Sequence, residues 1–78
     1  MTIHINSRPQ VYVGQLRKRG CRHWDRVDAL CSTAEAAMVA AMREMRGHHH
    51  RARVLAMDDP KDGPSYHDPY VVMEALRR

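Results

Sequence analysis

One stretch of helical periodicity, residues 32–47, sits among segments that keep the two-residue rhythm of strands. This narrows the available folds more than any other feature of the chain. Ala34, Ala37, Met38, Ala41, Met42 and Met45 recur at i, i+3, i+4, i+7, i+8 and i+11 and form one apolar stripe. Ser32-Thr33-Ala34-Glu35 predicts a capping box, in which the Ser32 hydroxyl accepts from the Glu35 N–H and the Glu35 carboxylate reaches back. Arg43 and Arg46 fall in the expected last turns, where cations suit the helix dipole, and Gly47 is placed to terminate. The stripe is narrow and rich in alanine, which permits close approach to a sheet.

Strand signals flank this helix in pairs. Val11-Tyr12-Val13-Gly14-Gln15-Leu16-Arg17 is β-branched and aromatic at its start, and Lys18-Arg19-Gly20-Cys21 reads as the hairpin turn after it. The return strand is expected over about 22–31. Val27, Ala29 and Cys31 share a face there that Trp24 does not, which calls for a bulge near Asp25-Arg26 or for Trp24 to serve the other face. After His48-His49-His50, the run 51–57 reads as a third strand, with Ala52, Val54 and Ala56 as the small face beneath the helix. Arg51, Arg53, Leu55 and Met57 then point away from it. Asp58–Pro64 is dense in turn residues, and Tyr70–Leu76 is a fourth strand. The order ββαββ predicts one α+β domain over 1–78, a two-layer sandwich of a four-stranded antiparallel sheet and one helix. Residues 1–9, broken by Ser7-Arg8-Pro9, are expected to form an arm or edge segment.

Seventy-eight residues allow only a modest core and no pocket enclosed between domains. The 44% hydrophobic and 28% charged content is that of a globular chain. No apolar run approaches a membrane span, and Met1-Thr2-Ile3-His4-Ile5-Asn6 lacks a signal-peptide pattern, so a cytoplasmic protein is expected. Cys21 and Cys31, if extended on one strand, lie about 33 Å apart, which predicts free thiols.

Catalytic and metal patterns do not assemble. Consecutive histidines point in different directions and lack the i, i+4 spacing of a helical zinc site, so His48, His49 and His50 read as an exposed connection. Asp58, Asp62 and Gly63 match three positions of a calcium loop, but Pro60 and Pro69 stand where two ligands are required. Ser65, Tyr66, His67 and Asp68 are neighbours and form no converging triad, and no glycine-rich phosphate loop is present. Neither enzyme activity nor a cofactor is expected.

Binding is the remaining class. Residues 1–57 hold ten Lys or Arg against four Asp or Glu, whereas residues 58–78 hold three against five. The basic hairpin Arg17, Lys18, Arg19 and Arg22, together with Arg51 and Arg53, is the candidate contact surface for a polyanion or an acidic protein. Trp24, beside Arg22, His23 and Arg26, has the composition of an interface anchor, although a chain without Phe also has use for it in the core. Nucleic acid is the alternative partner, with these cations on phosphates. Against it, an open-sheet RNA reader displays several stacking aromatics, and only Tyr12, Trp24, Tyr66 and Tyr70 are available.

In layout the chain resembles the small phage-encoded anti-CRISPR proteins that inhibit type I systems. The likeness lies in the hairpin of Val11–Arg17 with Arg22–Cys31, the Ala/Met-rich helix Ala34–Met45, and a second hairpin within Ala52–Leu76. It spans nearly the whole chain and rests on no motif, so no family residue transfers to a numbered position. It implies a stoichiometric inhibitor that binds the Cascade effector complex and blocks target-DNA binding or nuclease recruitment. Several such inhibitors are acidic DNA mimics, whereas this chain is basic and would have to engage an acidic protein patch or bound nucleic acid.

Overall fold

The computed structural model describes residues 10–60 and 68–76. The expected arm 1–9, and the loop residues 61–67 with Ser65, Tyr66 and His67, lie outside the described residues. Four strands and one helix follow in the order ββαββ: β1 (Gln10–Lys18), β2 (Asp25–Cys31), α1 (Ala34–Glu44), β3 (His49–Asp58) and β4 (Tyr70–Leu76). The sheet is antiparallel throughout, in the spatial order β2-β1-β3-β4. The long central strands β1 and β3 pair along their whole length, and α1 covers one face of the sheet. This is the small α+β fold that the alternation of periods predicts. No helix among the described residues is long and apolar enough to cross a membrane.

Gly14 sets the distance between the layers. A Cβ at this position would sit 2.8 Å from the Ala41 Cβ and 3.0 Å from the Ala37 carbonyl oxygen, so only glycine lets the helix lie this close. Ala37 and Ala41 are fully buried against the sheet, as are Ala52, Val54 and Ala56 of β3. Leu16 and Val27 complete the core, with Met38, Ala40 and Met45 packed around it.

That close approach corrects the stripe. With the Ala37–Ala41 row aimed at the sheet, Met42 lies about 100° further round the helix and is 48% exposed. Ala40 takes up the flank instead. The cap also differs from the expected one: Thr33, in an extended conformation, is the N-cap, and its Oγ1 accepts from the Ala36 N–H at 3.1 Å. The helix therefore begins one residue later than a Ser32 cap requires, and Glu35 serves as first-turn acid instead of closing a capping box. At the other end Met45 is the C-cap, before Gly47, and Arg46 lies past the last turn. There its Nη1 donates to the Arg43 carbonyl at 3.2 Å.

The first hairpin turns where expected. Cys21 N–H donates to the Lys18 carbonyl at 3.1 Å, and Gly20 takes φ +84°. β2 starts at Asp25, later than the expected 22, because residues 22–24 belong to the connection. The sheet irregularity lies opposite Gly14, between the pairs Val13↔Leu30 and Gln15↔Arg26, rather than at Asp25-Arg26. Residues 27–29 oppose a single residue of β1, which breaks the expected face: Val27 is buried while Ala29 is exposed. β3 in turn begins two residues earlier than expected and takes in His49 and His50. Cys21 and Cys31 are free.

Candidate partner-binding surface

Strand alternation assigns the face away from the helix. Gly14 and Leu16 point to the helix, so Val13, Gln15 and Arg17 of β1 point to the other side, with Arg51, Arg53 and Leu55 of β3 opposite them. Val13 is buried there in register with Leu30 and Leu55, which gives the helix-free face a small apolar centre. Beyond it, toward the first hairpin, the same face becomes cationic.

Arg17 stands directly opposite Arg51 on the central strands, and Gln15 opposite Arg53. Like charges placed directly opposite on a sheet destabilise it. The two arginines part company through their side chains. The Arg51 Nη2 lies 3.9 Å from the Glu74 Oε1 on β4, whereas the Arg17 Cζ lies 5.4 Å from the centre of the Trp24 ring. Arg53 joins Arg17 there, its Cζ 4.1 Å from the same ring centre and its Nε donating to the Gln15 Oε1 at 2.7 Å. The ring quadrupole attracts both cations. Among the described residues the enclosed Arg17 Nε has no hydrogen-bond partner.

The structure divides the candidate residues into two groups. Arg17, Trp24 and Arg53 converge as a half-buried cluster, with Arg51 alongside. Lys18, Arg19 and Arg22 are exposed on and just after the adjoining turn. Trp24 lies outside the core and serves the helix-free face, the second of the two arrangements its position allowed. Gln15 and Glu74, which orient Arg53 and Arg51, were not singled out from the sequence. Their signal is long-range pairing, which no local pattern carries.

Of the three consecutive histidines only His48 keeps the expected place in an exposed connection. His48 is exposed, His50 is half-buried, and His49 is buried. The reason is that β3 extends back through His50 and His49 and pairs His49 with Lys18. Among the described residues no group of three or more His, Cys, Asp or Glu is placed to hold a metal ion. No protein-family model, curated protein or solved structure matches the chain.

Proposed function

We propose that the chain is a stoichiometric protein-binding inhibitor, that the helix-free sheet face and the basic turn beside it are its contact surface, and that its target is a type I CRISPR Cascade complex. The opposition of Arg17 and Arg51 on the two central strands, with Arg53 next to them, supports the binding part of this reading. The direct opposition of Arg17 and Arg51 costs the sheet, a cost that the contacts to Trp24 and Glu74 offset only in part. An acidic partner relieves their repulsion, and Trp24 beside them is a large rigid side chain of the kind that anchors interfaces. The resemblance of the sequence layout to that of small anti-CRISPR proteins supports the target class.

In this reading Lys18, Arg19 and Arg22 steer the partner, and the Arg17–Trp24–Arg53 cluster with Arg51 docks against it. Inhibition then follows from occupancy, since a bound inhibitor excludes target DNA or the nuclease from the surface it covers.

The test is capture of purified type I effector complexes by the immobilised protein, alongside a Lys18→Glu, Arg19→Glu, Arg22→Glu variant and a Trp24→Ala variant. Capture of a complex at one-to-one stoichiometry, lost in both variants, is the expected result. Capture of none of the complexes removes the proposed target.

A nucleic-acid reading is favoured by one observation: six cations lie on one turn and the adjoining strand ends. It is disfavoured by the aromatics. Among the described residues Trp24 is the aromatic of this face, and its ring already lies against two guanidinium groups, while Tyr12 and Tyr70 fall on the helix side with Gly14 and Ala56. A gel shift with duplex DNA and with RNA across a salt series separates the readings. Tight binding with a steep salt slope supports nucleic acid, and no shift at micromolar protein supports the inhibitor.

A further inference from the structure

His49 occupies the joint where the chain leaves α1, enters β3 and touches the basic turn. Its backbone N–H donates to the Arg46 carbonyl at 3.0 Å, and its Nδ1 accepts the Arg46 N–H at 3.0 Å. One residue therefore closes both sides of the 46–49 connection. The neighbouring His48 carbonyl accepts the Arg19 N–H at 3.0 Å, which ties the tip of the basic turn to the same joint. An imidazole accepts at Nδ1 only while that nitrogen is free of a proton. The ring here is the neutral form, with its proton on Nε2.

We propose that His49 is a proton-sensitive latch: its neutral ring holds the α1–β3 joint closed, and taking up a proton breaks the bond to Arg46 and loosens the basic turn from β3. Protonation turns Nδ1 into a donor that faces the Arg46 N–H, so the acceptor is lost and two donors confront each other. The charged and titratable groups whose fields reach the ring are Lys18 from β1, Asp25 at the start of β2, and Arg46 and His48 from the connection, the His48 ring centre lying 4.2 Å from that of His49. Asp25 alone favours the charged ring. Burial first, and then His48, Lys18 and Arg46, hold the His49 pKa below its ordinary value of 6.5.

The sign follows. Below pH 6.5 the unfolded chain takes up a proton that the folded chain resists. The latch thus contributes its full stability above that pH and loses it progressively as the pH falls further. This inference concerns the free protein and holds whichever partner the basic surface meets.

The test is a histidine titration of the free protein by imaging the imidazole nitrogens with NMR, together with amide hydrogen exchange of Arg19 and Arg46. Expected are a neutral Nε2–H tautomer for His49 at pH 7.5 and a midpoint below 6.5. Both amides should also exchange faster at pH 5.5 than at pH 7.5 after correction for intrinsic rates, by at most about tenfold. In a His49→Asn variant the Oδ1 replaces the Nδ1 acceptor and does not titrate, so the acceleration should vanish. A His49 ring protonated at pH 7.5 overturns the proposal, and so does a titrating ring with unchanged Arg19 and Arg46 exchange. Both outcomes are read on the unmodified protein, so the test does not depend on whether the variant folds.

Discussion

Gly14 is the residue on which the two layers depend. Its missing side chain is the space that Ala37 and Ala41 occupy. Gly14→Ala should therefore destabilise the protein by about 1–3 kcal/mol, the range for overpacking a core, because one of the close contacts is to backbone and cannot rotate away. Urea denaturation measures this, and a loss below about 0.5 kcal/mol would show that the helix lifts without cost. Arg17 is constrained differently. A hairpin position suggests a freely exposed charge, yet Arg17 is half-buried against Trp24. Arg17→Glu should consequently disturb the fold as well as the proposed contact surface. The Lys18, Arg19 and Arg22 reversals, all at exposed positions, should each shift stability by less than about 0.5 kcal/mol in thermal melts.

At the scale of the element, α1 shows how a single-residue displacement redistributes roles. Thr33→Ala removes the observed cap and should cost about 1 kcal/mol, whereas Ser32→Ala should cost less than about 0.5 kcal/mol. Equal losses in denaturant melts would restore the earlier helix start. Along the stripe, Met38 packs on the core and Met42 does not. Met38→Ala should cost about 1–2 kcal/mol, below the range for a fully buried Met because the side chain is half-buried, and Met42→Ala should be nearly neutral. β1 and β3 carry the second lesson. β1 sets Gly14 and Leu16 on its helix side and Arg17 on the other, and β3 sets Ala52, Val54 and Ala56 on its helix side and Arg51 and Arg53 on the other, so the same two strands build the core and the charged surface.

For the molecule as a whole, the cations gathered at one end of the helix-free face would make the proposed association salt-dependent. If an acidic protein is the partner, raising ionic strength should slow association markedly and change dissociation little, as read by surface plasmon resonance. Equal effects on both rates would mean that these charges are desolvated in the contact rather than steering it. The order of elements, the antiparallel α+β class, the Lys18–Cys21 turn, the Ala52-Val54-Ala56 face and β4 all follow from local patterns: a period of 3.6 or 2, and a glycine at a turn. The strand order β2-β1-β3-β4 does not follow from such patterns, because pairing β1 with β3 joins residues separated by α1. Everything that pairing decides was hidden with it. It brings Gln15 and Trp24 to Arg53, sets Arg17 against Arg51, draws His49 into β3 opposite Lys18, and lets Gly14 turn the helix so that Met42 faces solvent. Periodicity specifies which face of an element is apolar; which residues meet across two elements depends on register and layer spacing, and those exist only once the chain has closed on itself.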